Sequence, residues 1–302
     1  MEFGKVPEAE LAHIDLTLPP DPQDTTDILK KSKGKSKTKF YIGCAKWGRK
    51  DWIGKFYPQG TKEKDFLEHY AQLFNSIELN TTYYKIPAAA QVQQWKSKVG
   101  KDFKFCPKFT DVITHLKRLQ DTRPLVDSFL EGIHAFGENL GPVFLMPHPQ
   151  MGPKYIKVIE HFLDELPKDV EVFLELRHPD WYAEGGYNPE LFDFLKTQKR
   201  GTIITDAAGR RDCVHMHLST PEAFIRFVGN ALHPSDYARI DEWVARIGTW
   251  MHEGLKTCYF FMHQHEELHS PELIHYFMEQ MNKQYDLKLK PPMQLPPEHT
   301  LF

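Results

Sequence analysis

Eight short runs of β-prone apolar residues recur at intervals of about thirty residues, and most are followed by a stretch with a helical apolar period. That alternation is the feature that most limits how the chain can fold. The runs are Phe40 to Cys44, Ser76 to Asn80, Phe103 to Pro107, Val143 to Met146, Glu171 to Leu176, Thr202 to Thr205, Ala223 to Val228 and Thr257 to Met262. Helical patterns fit Lys62 to Phe74, Ala88 to Val99, Leu125 to Leu140, Pro153 to Leu166, Pro189 to Thr197, Ser235 to Glu253 and Pro271 to Tyr285. Pro153, Pro189 and Pro271 stand at first turns, where a missing N–H costs nothing. The pattern predicts an α/β protein, a single (β/α)8 TIM-type barrel over residues 40–285. Ala207 to Pro221 presents no helical face, so the sixth helix is expected to be replaced by a loop. An open doubly wound sheet is the alternative. The glycine-rich nucleotide signatures that commonly accompany it are missing.

Residues 1–39 read as an N-terminal extension or linker, and 286–302 as a Pro-rich tail that lies extended over the surface. Lys30 to Lys39 is strongly basic, which makes a nucleic-acid partner one reading and a solvated linker the plainer one. A net charge of -3 gives no global reason to expect nucleic acid or an anionic membrane. Four widely spaced cysteines form no C-x-x-C pair. The N-terminus lacks a signal-peptide core, and no run approaches the ~18 apolar residues of a membrane span. The expectation is a soluble, reduced, cytoplasmic protein without a membrane partner.

In a barrel the chemistry sits where the strands end, and these ends are polar. In Ser76 to Asn80 the apolar Ile77 and Leu79 alternate with Glu78 and Asn80, which places the polar pair on the barrel axis. The same alternation turns Glu175 and Arg177 inward. Lys46, Lys108, Asp206 and Arg226 stand at other ends, so Glu78, Glu175 and Asp206 can be set against four cations. A buried carboxylate needs a partner or a use. One reading is a structural ion-pair network; the other is a site for a small polar or anionic substrate, with Arg177 and Arg226 as anion holders.

Metal binding is a further reading. His215 and His217 form an H-x-H pair, and His263, Gln264, His265, Glu266, Glu267 and His269 crowd the end of the eighth run. The set to test is His215, His217, His263 and Asp206, although the spacing matches no H-E-x-x-H motif. No cofactor is otherwise indicated. Cys44 near Lys46 suits a small buried residue better than a nucleophile. Trp47, Trp52, Phe56, Tyr57, Tyr83, Tyr84, Trp181 and Tyr182 follow the first, second and fifth runs and could frame the mouth.

The runs I-G-C-A-K-W-G-R-K-D-W-I-G-K-F-Y-P (42–58), Y-A-Q-L-F-N-S-I-E-L-N-T-T-Y-Y-K-I-P (70–87), F-K-F-C-P-K-F-T-D-V-I-T-H (103–115) and L-E-L-R-H-P-D-W-Y (174–182) resemble the YecE-like family. Its members carry a domain of unknown function with a TIM-barrel fold, which the resemblance extends to this chain. Carried over by position, it highlights Trp47, Trp52, Tyr57, Glu78, Asn80, Thr82, Tyr84, Lys108, His115, Glu175, Arg177, His178, Trp181 and Asp206. The chain departs from the pattern at three strand ends: Cys44 to Trp47, Arg226 to Gly229 and Met262 to Glu266.

The leading expectation is a hydrolase- or lyase-like enzyme using general acid–base chemistry on a small polar substrate, one that could carry phosphate or sugar. Glu78 and Glu175 would transfer protons, with Lys108 and Asp206 beside them. Trp47, Trp52, Asn80, Tyr84, His115, Arg177, His178, Trp181 and Arg226 would bind. The alternatives are a non-catalytic ligand- or nucleic-acid-binding barrel and a metal-dependent isomerase or phosphoesterase.

Overall fold

The computed structural model describes residues 3–296 except Gly186 and Glu266, with the backbone alone for 183–185. Eight strands form where the apolar runs fall: β1 Lys39–Cys44, β2 Ser76–Leu79, β3 Lys104–Pro107, β4 Val143–Leu145, β5 Val172–Leu174, β6 Gly201–Asp206, β7 Glu222–Gly229 and β8 Thr257–Gln264. They do not close into one eight-stranded barrel. Six make a parallel, curled half-barrel sheet in the order β1-β8-β7-β6-β5-β4, and β2 and β3 pair separately as a two-stranded sheet. The closed barrel expected from the alternation, and from the family resemblance, is therefore corrected to a mixed α/β fold with a divided sheet.

The division has a local cause. At the β1–β2 seam, side chains occupy the positions that ladder hydrogen bonds would take. Asn75 Oδ1 accepts from the Ile42 amide at 2.8 Å and its Nδ2 donates to the Phe40 carbonyl at 2.8 Å. The Tyr70 hydroxyl accepts from the Cys44 amide at 2.7 Å and donates to the Ser76 carbonyl at 2.9 Å. The strands approach so closely here that a Cβ on Gly43 would sit 1.9 Å from the Ser76 oxygen. At the β3–β4 seam only isolated bridges form, Phe105 to Leu140 and Lys108 to Phe144. Pro107 has no amide to donate, and the Lys108 amide goes to Thr82 Oγ1 at 2.9 Å instead.

Helices cover the outside of the sheets, and α8 (Pro234–Glu253) and α9 (Ser270–Tyr285) are the longest of those described. Between β6 and β7 there is a single 3-10 turn, Arg211–Cys213. The segment before β1 folds onto this body. Its helix α1 (Gln23–Ser32) buries Leu29, Thr25 Oγ1 donates to the Met216 carbonyl at 2.9 Å, and Asp21 pairs with Arg246 at 2.7 Å. After α9 the tail runs without regular structure along the helix, held by Asn282 to both backbone groups of Leu289. Residues 297–302 of that tail lie outside the described residues. No described helix is long and apolar enough to cross a membrane.

Inside the curl, Cys106, Phe144, Met146, Phe173, Ile203, Phe224, Tyr259 and Phe261 form a packed apolar plug. The rings of Phe173, Tyr259 and Phe261 lie 5.6, 6.0 and 5.0 Å from that of Phe224. This plug keeps the sheet interior dry and sets the floor on which the polar strand ends rest.

If the Tyr70 hydroxyl stands in for the ladder, Tyr70→Phe leaves the buried Cys44 amide without an acceptor. The expected cost is about 1–3 kcal/mol, read as a lowered urea midpoint with unchanged slope. A wild-type midpoint would mean that apolar packing alone holds the seam.

Candidate functional site

Four strands bring one charged or polar side chain each to the layer above the plug. Period-two alternation explains why: each belongs to an apolar run whose neighbouring residues face the helices. β2 supplies Glu78, the residue after β5 supplies Glu175, β7 supplies Arg226 and β8 supplies His263, all essentially inaccessible to solvent. Arg226 holds the layer together. Its Nε and Nη2 donate to the two oxygens of Glu78 at 2.8 and 3.0 Å, while Nη1 donates to Glu175 Oε1 at 2.8 Å. Glu78 also faces His263 Nε2 at 3.0 Å and accepts from Asn80 Nδ2 at 3.0 Å. Glu175 accepts from Thr205 Oγ1 at 2.7 Å and from Arg177 Nη2 at 3.4 Å.

Burial alone would raise the Glu78 carboxyl, but Arg226 and His263 outweigh it and hold it well below the usual carboxylate range. Burial would raise Glu175 too, yet Arg177, Arg226 and Lys108 bring it down to about 2. His263 would be lowered by burial; the Glu78 charge overrides this and raises it. Both carboxylates are thus held ionised. Neither is suited to donate or collect a proton near neutrality.

Lys108 has the opposite environment. It follows β3, is only 6% exposed, and its Nζ lies 4.7 Å from the ring centres of both Tyr83 and Phe144 and 3.5 Å from Met146 Sδ. Among the described residues no carboxylate comes within ion-pair distance of it. Burial, then the Arg226 charge, brings its amine down to about 7. His115, whose ring stands 5.4 Å from that of Tyr83, is brought down to about 4 by burial and then by His148, Lys108 and Arg177.

These groups open onto a cleft of about 760 Å3 at the C-terminal ends of the strands. Lys46, Lys85, Lys108, Arg177 and Arg226 line it, against one lining carboxylate among the described residues, Glu267. Trp47, Tyr83 and Tyr84 supply aromatic faces, and Asn80, His115 and His263 complete its polar wall.

Other residues expected at the mouth lie elsewhere. Trp52 and Trp181 are fully buried, with their indole N–H groups donating to the carbonyls of Leu268 and Met151. His178 packs beside Gly152 and faces Asp180 at 3.7 Å, away from the lining. Asp206 is taken by Arg239 at 2.9 Å, Trp243 Nε1 at 2.8 Å and Arg211, an arrangement that ties β6 to α8. Burial would raise its carboxyl, but Arg239 and Arg211 outweigh it and lower it. Cys44 is buried, which raises its thiol well above the usual value and removes it as a nucleophile.

The metal set does not assemble. His215 bonds the Ile203 carbonyl at 3.0 Å and stacks on Tyr182, with burial bringing it down to about 3. His217 accepts from the Tyr187 amide at 3.3 Å, and His263 belongs to Glu78. Among the described residues no three His, Cys, Asp or Glu side chains converge as a metal-holding group. Glu266 lies outside the described residues.

Sequence reasoning missed that His263 partners Glu78, that Thr205 donates to Glu175, and that Tyr83 and Phe144 flank Lys108. The position of His263, two beyond Phe261 on β8 and so on the same sheet face, is the signal that could have found the first.

The fold and site define a parallel α/β protein with a cationic cleft set over a buried ion-pair layer. The family model described as "Protein of unknown function DUF72" matches residues 41–298, and the chain belongs to that YecE-like family. It is 28% identical to the UPF0759 protein YecE of Escherichia coli K12 over 261 residues, covering 80% of this chain and 93% of that one. It is 24% identical over 169 residues to the UPF0759 protein YunF of Bacillus subtilis, covering 52% and 57%. A DUF72 family protein from Thermotoga maritima superposes with a TM-score of 0.64 at 21% identity, covering 82% of this chain and 100% of that one. One from Enterococcus faecalis gives 0.61 at 17%, covering 83% and 99%.

Removing Arg226 leaves two buried carboxylates without their shared cation. Arg226→Met is expected to cost about 3–5 kcal/mol at pH 7. The pH response should also change. In the native chain Glu175 contributes stability above 4.5 that is lost as pH falls toward about 2. In the variant both carboxyls rise from their native values, although Arg177 and His263 still hold them, so the cost of the substitution should shrink as pH falls from 7 to 5. Urea unfolding at the two pH values measures this; an equal loss at both would contradict the shared-cation account.

Proposed function

We propose that the cleft is the active site of an enzyme that acts on a small anionic substrate by acid–base chemistry, with Lys108 as the proton-transferring group. The observation that carries this reading is the Lys108 amine itself. It is buried at a cleft wall, has no carboxylate partner among the described residues, and is brought by burial and Arg226 to about 7, where it can both take and release a proton.

The excess of cations supports an anionic substrate, with a carboxylate or phosphate group held at Arg177 and Lys46 and the apolar remainder against Trp47 and Tyr83. Glu78 and Glu175, expected from their strand positions to form the proton-transfer pair, take a different part. Bound to Arg226, they fix its charge beside Lys108 and keep that cation from moving toward the ligand. Asn80, which lines the cleft while donating to Glu78, links the layer to the substrate.

In a screen of small carboxylates and phosphate esters against the purified chain, Lys108→Met is expected to lower kcat by at least 10²-fold. Lys108→Arg should fare no better, because a guanidinium keeps its proton. The rate should rise with pH through a limb near 7 in the native protein. Undiminished turnover by Lys108→Met would end the assignment.

The same group gives a stability prediction. Below about 7 Lys108 is charged in both the folded and unfolded chain, so the cost of burying it is fully felt; between 7 and the ordinary value of 10.5 the unfolded chain binds the extra proton and native stability rises with pH. Lys108→Met should therefore stabilise the fold by several kcal/mol at about 1.4 kcal/mol per tenfold in proton affinity. The gain should be greatest below pH 7 and fade toward pH 10, as read by denaturant titration.

A further inference from the structure

We propose that Lys108 is a nucleophile that forms an imine with a small aldehyde or ketone bearing an anionic group. The proposal rests on the reading of the cleft as an active site and narrows its substrate to a class.

Imine formation needs an amine with a free lone pair, held against a surface that excludes bulk water but open to the ligand. Lys108 Nζ meets these conditions by placement. Two ring faces, Tyr83 and Phe144, and the Met146 sulfur surround it, and the cleft lies on the remaining side. The backbone cannot drift, because Thr82 Oγ1 accepts from the Lys108 amide at 2.9 Å and donates to its carbonyl at 2.8 Å. The two ring faces attract an ammonium, but burial and the Arg226 charge outweigh them and disfavour the charged form. Lys46 and Lys85 line the same cleft with more exposure and can hold an anion.

The anionic group of the substrate has a receiver in Arg177. One nitrogen of that side chain reaches Glu175 at 3.4 Å, its Nε is buried with no hydrogen-bond partner, and Phe3 stacks 4.1 Å from the guanidinium. The Arg177 side chain is 14% exposed and lines the cleft, so a carboxylate or phosphate oxygen can meet the accessible part of its guanidinium there.

The step balances without a further reactant. The Nζ lone pair attacks the carbonyl carbon, a C–N bond forms, and the carbonyl π pair moves to oxygen, which takes up a proton. The nitrogen loses a proton, and the carbinolamine expels its hydroxyl with another proton as water to leave the C=N bond. Tyr83 and His115 line the cleft beside Lys108 and are the groups proposed to carry these protons. Tyr83 keeps its phenol proton, since burial raises it, and His115 is neutral.

The test is reductive trapping on the full chain. The protein is treated with limiting glyoxylate and sodium borohydride at pH 7.5, and the modified lysines are located by peptide mass spectrometry. Lys108 should be labelled at least tenfold faster than Lys46 or Lys85. With acetaldehyde, which has no anionic group, that preference should fall at least tenfold, and Arg177→Met should do the same with glyoxylate. The acetaldehyde arm on the unaltered chain decides the point if Arg177→Met does not fold.

Labelling of Lys108 no faster than surface lysines overturns the imine. A parallel NMR titration of the Lys108 side chain in protein carrying 13C-lysine separates the two claims. Titration near neutrality without trapping leaves the proton-transfer reading standing and removes the nucleophile. Titration at an ordinary lysine value removes both.

Discussion

The contact between Arg226 and its two carboxylates is the interaction on which the rest of this structure depends. Glu78 lies in the two-stranded sheet, whereas Arg226 and His263 lie in the six-stranded one, and Glu175 follows one of its strands. Where backbone ladders fail to join the two sheets, the ion layer joins them. Its bidentate geometry fixes distance and orientation together, which a single apolar contact does not. Desolvation opposes such a layer, and a well-packed apolar substitute would often hold a fold as firmly. The gain is therefore in definition. Strand ends separated by 148 and 51 residues in sequence are set within hydrogen-bond distance of one guanidinium.

The same contact decides what Lys108 can be. Had Glu78 or Glu175 been free, either would have paired with the amine and held it charged. Arg226, with Arg177 beside it, engages them first, so the Lys108 amine, lowered above all by burial, meets the repulsion of Arg226 and Arg177 as well as the attraction of Glu175 and Glu78. The depressed basicity of the lysine thus follows from burial and the Arg226 charge, with no carboxylate at ion-pair distance among the described residues. The charges read from the sequence as a balanced cluster divide: Glu78 and Glu175 close on Arg226, Asp206 goes to Arg239 and Arg211, and Lys46, Lys108 and Arg177 line the cleft.

The strands were legible in the sequence because each pairs an apolar run with a polar interruption, and those interruptions at 78, 175 and 226 do meet. Closure of the sheet was not legible. It turns on Tyr70 and Asn75, which read locally as a core ring and a turn residue, and act as substitutes for a ladder only once β1 and β2 are side by side. Trp52 and Trp181 looked like partners of Trp47 by position, but burial depends on the path of each loop, and their indoles are consumed by backbone carbonyls. The H-x-H pair failed as a ligand set for a local reason. The two rings lie 6.0 Å apart, but His215 is engaged by the Ile203 carbonyl and the His217 amide, and His217 Nε2 by the Tyr187 amide.

The N-terminal segment adds a constraint that the family match does not reach, because that match begins at residue 41. Phe3 lies over the guanidinium of Arg177 at 4.1 Å and over that of Arg210 at 4.9 Å, and the Gly209 amide donates to the Gly4 carbonyl at 2.9 Å. A stacked ring satisfies the face of a guanidinium and leaves its N–H edge available, so Phe3 restrains Arg177 without neutralising it. Glu175 draws one nitrogen of Arg177 inward and Phe3 covers its face, while the side chain, 14% exposed, still lines the cleft. Glu175 thereby holds two arginines in different states. Arg226 is bonded to both carboxylates and lies over the Phe144 ring at 5.0 Å, whereas Arg177 is oriented but incompletely bonded.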